Sequence, residues 1–261
     1  MRGFETMEAN LRATLGVFSL ARPDGETRSE PGLALISSGV NYSMFNAALL
    51  TEPVSAPAAL RRCLERAEAY FSAKRLPWSL WLCTDWLREK AVASAERECA
   101  AAGMHFVTDL PGMSAEALKP PCRALPRLEW RRVSDRETRE DFTRIMCHAF
   151  GVPYSVAHQI YESERTWRGG LAGYVGYHGN FAVTSSAVFA EAGVAGLYAV
   201  GTLPAHQRKG YAEAMLRIAL EDSYGQAGIT ATVLQSSAAG HKLYQRLGYR
   251  DITRYWVFAR T

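Results

Sequence analysis

Apolar positions recur along this chain in two periods, and the switches between them mark out its elements. Asn46-Ala47-Ala48-Leu49-Leu50 is an apolar run of strand length. Leu60, Leu64, Ala67 and Phe71 then take the spacing of one helix face, predicting a helix over about residues 58–74. A strand over 78–83, a helix over about 87–102 stopped at Gly103, and a strand over 105–109 follow, so the order is β-α-β-α-β. Residues 111–127 hold four of the eleven prolines and predict a linker unable to sustain a regular element for long.

Beyond it, residues 128–133 predict a strand, and Ser134 or Asp135 is placed to cap a helix ending at Phe150, with a short helix over 155–165 after it. Three extended segments, 171–177, 181–189 and 195–202, are separated by turns at His178-Gly179-Asn180 and Ala192-Gly193 and read as an antiparallel meander. Tyr211, Ala214, Met215, Ile218 and Ala219 form the stripe of a helix over about 209–224, ended by Gly225 and Gly228. A strand over 229–234, a helix over 239–247 closed by Gly248, and a final strand pair from Arg250 complete the pattern. Residues 46–110 thus repeat the order of the last part of the chain. This predicts a tandem, with a degenerate copy in residues 1–120 and a second domain in 126–261; an unrelated α/β lid is the alternative.

Composition narrows the functional classes. The 261 residues are 48% hydrophobic and 21% charged, ordinary for a globular chain of one large or two small domains. The net charge is +4, but acidic and basic residues are interleaved, so nucleic-acid binding lacks its polybasic stripe while an anionic ligand is well matched. Cys63, Cys83, Cys99, Cys122 and Cys147 are odd in number and have no metal-binding spacing, as expected of reduced cytoplasmic thiols. No stretch has the apolar length of a secretory leader or a membrane span.

The densest chemistry lies in Leu197–Ala212, LYAVGTLPAHQRKGYA, where an apolar strand ends at Pro204 and Gln207, Arg208, Lys209, Gly210, Tyr211 and Ala212 lead into a helix. The first N–H groups of a helix have no intrahelical partner and sit at the positive end of its dipole, which makes an anion cradle. Gly210 permits close approach of backbone to phosphate, and Arg208 and Lys209 add charge. Neither a G-x-x-x-x-G-K-[ST] loop nor a G-x-G-x-x-G fingerprint is present. The Gln-x-x-Gly-x-Ala pattern resembles the pyrophosphate-binding motif of the GCN5-related N-acetyltransferases, and Leu234 to Tyr249, ending Leu-Tyr-x-x-Leu-Gly-Tyr, resembles that family's later strand and helix.

The resemblance implies an α/β fold with a mixed sheet flanked by helices, and an enzyme that moves an acetyl group from acetyl-CoA to an amine without a metal. It implies that Val200, Gly201 and Thr202 pair through their backbone with the pantetheine arm, that Tyr244 is the general acid at the thiol, and that Ser237 contacts CoA. Ser237 stands where many relatives carry Asn, and is equally suited to capping the following helix. The strands over 193–202 and 229–234 carry no carboxylate for a general base; Glu162, Glu164, His178 and Glu191 are distant candidates. Cys147 and His148 are adjacent on a helix and so point about 100° apart, which excludes a dyad. Tyr154, Tyr161, Trp167 and Tyr174 are expected to fill core, although an acceptor pocket near His148 and His158 would use them too. The expected partners are acetyl-CoA and an amine acceptor, with a homodimer left open and neither nucleic acid nor a membrane. A non-catalytic acyl-CoA-binding protein with a partner-binding N-terminal domain is the competing function.

Overall fold

One mixed sheet of eleven strands runs through the computed structural model, which describes residues 3–224, 229 and 231–260. In chain order the elements are α1 (Gly3–Ser19), β1 (Glu26–Glu30), β2 (Leu33–Ser37), β3 (Asn46–Leu50), α2 (Pro57–Lys74), β4 (Trp78–Cys83), α3 (Glu89–Val92), α4 (Ala95–Ala101) and β5 (His105–Ala115). Then come β6 (Glu129–Arg132), α5 (Arg136–Phe150), α6 (Tyr154–Tyr161), α7 (Glu164–Arg168), β7 (Ala172–His178), β8 (Phe181–Glu191), β9 (Val194–Thr202), α8 (Tyr211–Tyr224), β10 (Ala231–Gln235), α9 (Ala238–Leu247) and β11 (Arg250–Arg260). Across the sheet the order is β1-β2-β3-β4-β11-β5-β10-β9-β8-β7-β6. The pairs β3–β4 and β9–β10 are parallel, and the other pairs are antiparallel.

Two parts of this sheet repeat one arrangement. A hairpin strand passes through a helix to a parallel neighbour in β2-β3-α2-β4, and again in β8-β9-α8-β10. The terminal strands are exchanged: β5 of the first half lies between β10 and β11, and β11 of the second lies between β4 and β5. Each half therefore completes its sheet with the other's last strand.

This exchange explains why β11 is one long strand and not the expected pair. The proline-rich stretch also begins as strand, since β5 runs through Pro111 to Ala115. The Pro111 carbonyl accepts from Ser236 N (2.8 Å) at the level where β10 has given way to the loop before α9, so the N–H that proline lacks has no strand partner to miss. The expected helix over 87–102 is broken into α3 and α4, where Ser94 Oγ turns back to the carbonyls of Lys90 (3.1 Å) and Ala91 (3.2 Å). The helix over 155–165 is two, α6 and α7, parted where Ser163 Oγ donates to Ala21 O (2.8 Å). Asp135 caps α5 in a capping box with Thr138. Gly225 and Gly228, expected to close α8, lie outside the described residues.

Helix α1 has no exposed face wide enough to give an amphipathic stripe: Met7, Leu11 and Leu15 are buried, and so are Glu8, Asn10 and Thr14. Asn10 Nδ2 donates to the carbonyls of Phe189 (3.0 Å), Glu191 (3.3 Å) and Val194 (3.3 Å), and Tyr198 Oη donates to Asn10 Oδ1 (2.6 Å). Two residues earlier, Glu8 accepts from Trp86 Nε1 (3.3 Å) and lies 3.5 Å from Arg12. Burial raises the Glu8 carboxyl to about 7 despite that guanidinium. The helix thus ties β8 and β9 of the second half to the first half. No helix among the described residues is long and apolar enough to cross a membrane.

Candidate functional site

Strands β9 and β10 pair only from Val194–Gly196 to Ala231–Val233 and then diverge. A bulge causes the divergence: Ala199 and Val200 together face Ser186, with Ala199 held at φ 51°, so β9 bends away from its neighbour. Its backbone from residue 197 to 202 is left unpaired on that side. Thr184 Oγ1 fixes the far end, donating to Gly201 O (2.7 Å) and bonding Thr202 Oγ1 (3.0 Å). Val200, Gly201 and Thr202 line a cavity of about 470 Å³ that opens in this fork.

The loop into α8 forms the second wall. Arg208 (φ 61°) and Gly210 (φ 92°) are both left-handed. A side chain at 210 would also meet Pro126, whose Cδ lies 3.0 Å from the Cβ position. Gly210 O accepts from Ala214 N (2.9 Å), which makes Gly210 the N-cap and leaves the N–H groups of Tyr211, Ala212 and Glu213 without intrahelical partners at the cavity wall. Gln207 Nε2 donates to Thr202 O (3.2 Å) and ties this loop to the fork. Gln207, Arg208, Gly210, Tyr211 and Ala212 all line the cavity. Lys209 does not, since its Nζ donates to Ala205 O (2.9 Å) on the outer side.

Helix α9 supplies the third wall. Ser237 both lines the cavity and caps the helix, its Oγ accepting from Gly240 N (3.3 Å). Tyr244 is buried, with its ring edge-on to Tyr249 at 5.6 Å. Gly240 lies beneath that ring: a Cβ there would come within 2.9 Å of Tyr244 Cε2. Burial alone pushes the Tyr244 phenol well above its usual range, so it stays protonated at every working pH.

Several lining residues have no signal in local sequence. Arg123 comes from the proline-rich segment, Ala149 and Phe150 from the end of α5, and His206 from the turn after β9. The His206 Nδ1 is buried without a partner, and its ring packs among Tyr211 and His178, whose Nδ1 is 3.0 Å from Tyr211 Oη. Lys242 and Arg246 were within reach of sequence reasoning, since they lie one turn apart on the helix that carries Tyr244. Glu213 lines the cavity as well, but Arg217 holds it at 3.0 Å.

The distant base candidates stand apart from this cavity. Glu162 accepts from Tyr154 Oη (3.0 Å), Glu164 pairs with Arg168 (2.9 Å) and Arg139 (3.4 Å), Glu191 is exposed at the end of β8, and His178 packs behind Tyr211 and His206 without lining the cavity itself. Tyr161 and Tyr174 are core, and Trp167 packs on Phe142, whereas Tyr154 is exposed, contrary to expectation, because it opens α6 at the surface and stacks on His158. Among the described residues no group of His, Cys, Asp or Glu is arranged to hold a metal.

The corresponding fork of the first half is closed. There β3 and β4 pair over Ala47–Leu49 and Ser79–Trp81, and beyond them Val54 N donates to Trp86 O (2.7 Å) while Arg88 N donates to Val54 O (2.9 Å). Val54 and Leu87 are buried in the gap. The junction Thr51–Pro57 has no glycine, Glu52 is exposed on it, and its prolines offer no N–H.

Comparison with known proteins agrees with this geometry. Residues 122–249 match the acetyltransferase (GNAT) family model. A GCN5-related N-acetyltransferase from Kribbella flavida superposes with a TM-score of 0.70 at 21% identity, over 96% of this chain and 95% of that one. One from Sphaerobacter thermophilus gives 0.59 at 16%, over 88% and 76%. A tandem GNAT protein from the clavulanic acid biosynthesis pathway gives 0.53 at 11%, over 97% and 95%. No curated protein sequence matches the chain.

Proposed function

We propose that this protein transfers an acetyl group from acetyl-CoA to a primary amine by direct attack in a ternary complex, a reading supported by the match of residues 122–249 to the GNAT family model and by the fold the chain shares with GCN5-related N-acetyltransferases, a tandem GNAT protein among them. One active site per chain is proposed, in residues 126–261, with residues 1–120 a degenerate copy that does not bind CoA. The observation that carries this reading is the convergence of fork, cradle and Tyr244 on one cavity.

The parts divide the work as follows. The unpartnered N–H groups of residues 211–213, with Gln207, Arg208 and Gly210 around them, suit a pyrophosphate. The backbone around Val200, Gly201 and Thr202, which has no strand partner on the fork side, is suited to hold an extended pantetheine arm and to polarise the thioester carbonyl. The amine nitrogen forms its bond to the carbonyl carbon, the carbon–sulfur bond breaks, and Tyr244 donates a proton toward the departing sulfur. With its pKa raised, the phenol acts chiefly as a hydrogen-bond donor to that sulfur. No carboxylate base is assigned: Glu213 is held by Arg217, so the amine enters neutral, and the proton its nitrogen sheds after attack passes through water to the thiolate that Tyr244 stabilises. A cytoplasmic setting belongs to the same proposal, supported by the five free cysteines.

Calorimetry with acetyl-CoA, followed by thiol release over a panel of amines, tests the reading. Binding and turnover of at least one amine is expected. Binding with no turnover on any amine, and no effect of Tyr244→Phe, would leave an acyl-CoA-binding protein without catalysis.

A further inference from the structure

The cavity wall carries more positive charge than a pyrophosphate cradle needs. Arg123, Arg208, Lys242 and Arg246 line it, and none of the four has a carboxylate partner among the described residues. Elsewhere arginines are widely paired, as with Arg61–Glu98 (2.9 Å), Arg144–Asp141 (2.6 Å) and Arg254–Asp109 (2.6 Å). Unpaired cations converging on one concavity mark a site for an anion.

These four fall into two groups. Arg208 belongs to the loop at the start of α8, where helix N–H groups already face the cavity. Lys242 and Arg246 project from successive turns of α9. The segment after β5 joins the two regions as a strap across the outer side. Lys119 N donates to Leu247 O (2.9 Å) at the end of α9, and Lys119 O accepts from Arg217 Nη2 (2.6 Å) on α8. The strap then reaches the start of α8, where Pro126 abuts Gly210 and Arg123 Nη2 donates to Arg208 O (3.3 Å). That single contact uses one donor of the Arg123 guanidinium and leaves the rest free.

Resting on the acetyl-CoA reading above, we propose that Lys242 and Arg246 form a second anion site that takes the 3′-phosphate of CoA, separate from the pyrophosphate cradle, where Arg123 stands with Arg208. CoA carries its pyrophosphate and its 3′-phosphate at some distance from one another, and the wall offers two cationic clusters to match, Arg123 with Arg208 and Lys242 with Arg246. The strap joining the two halves is then a structural part of the cosubstrate site. A guanidinium and an ammonium facing a dianion make charge-assisted hydrogen bonds, which a ligand lacking the 3′-phosphate forgoes.

Calorimetry on the full chain with CoA and with 3′-dephospho-CoA, at fixed ionic strength, tests this. The wild type should bind 3′-dephospho-CoA about tenfold or more weakly than CoA. Lys242→Ala with Arg246→Ala should weaken CoA until the two ligands bind alike, with little change for 3′-dephospho-CoA, whereas Arg123→Ala, beside the cradle, should weaken both ligands and keep the preference. Arg127→Ala, on the same strap but outside the cavity, should preserve the preference. Equal affinities in the wild type, or a Lys242→Ala, Arg246→Ala double variant that weakens both ligands equally, would overturn the second site while leaving the cosubstrate reading intact. If neither ligand binds the wild type, the cosubstrate reading fails, and the second site with it.

Discussion

At the residue scale, the chemistry rests on Tyr244 and on the glycines that let others work. Tyr244→Phe removes the only polar atom of a buried ring, so folding should be preserved and acetyl-CoA affinity kept, while kcat falls about 10²-fold, the usual weight of a positioned proton donor. Steady-state thiol release beside calorimetry reads both. Gly210→Glu should weaken acetyl-CoA by more than about tenfold, because it adds a carboxylate at the anion site and a Cβ against Pro126; unchanged affinity would remove the cradle assignment. These residues were legible because their chemistry demands particular types at fixed spacing: a glycine before the helix, a tyrosine seven residues beyond a cap. Arg123 and Phe150 were not, since their roles depend on which segments the fold brings together.

At the element scale, Gly240 sets a stability effect against an activity effect. Alanine suits a helix better than glycine by about 1 kcal/mol. At this position, however, its methyl would displace the Tyr244 ring, whose Cε2 stands 2.9 Å from the Cβ position. Gly240→Ala should therefore lower kcat several-fold without a matching loss of melting temperature, and thermal scans run beside kinetics test the pair. Elements with one buried face, such as α2 and α8, could be read from periodicity. Helix α1 could not, because its polar residues Glu8, Asn10 and Thr14 are buried too, and β1, reading Glu-Thr-Arg-Ser-Glu, is a polar edge strand with little apolar pattern. The length of β5 was hidden by Pro111, tolerated only because β10 has ended beside it.

At the scale of the whole molecule, the buried Glu8 on the helix between the halves gives stability a pH dependence. Its carboxyl goes from an ordinary value of 4.5 to about 7 on folding, so between these values the folded chain keeps a proton that the unfolded chain releases. Stability from this group is complete below about pH 4.5 and is lost as pH rises through 7. Glu8→Gln should thus gain stability relative to wild type at pH 8, by at most about 3 kcal/mol from the shift, and show little gain near pH 5. Denaturant melts at the two pH values check the sign. The exchange of β5 and β11 further predicts one cooperative unfolding transition for the chain, with fluorescence of Trp78 in the first half and Trp167 in the second lost together.

The same exchange bears on how the chain is made. Synthesis delivers β11 after the ten strands that precede it, yet it is the strand that sits between β4 and β5 near the middle of the sheet. Until Arg250–Arg260 have left the ribosome, the first half must wait with an open edge, and the chain can close its sheet only after them. A message truncated by a premature stop before residue 250 would therefore yield a product in which neither half is complete, exposed to chaperones and proteases throughout its length and not merely at its ragged end.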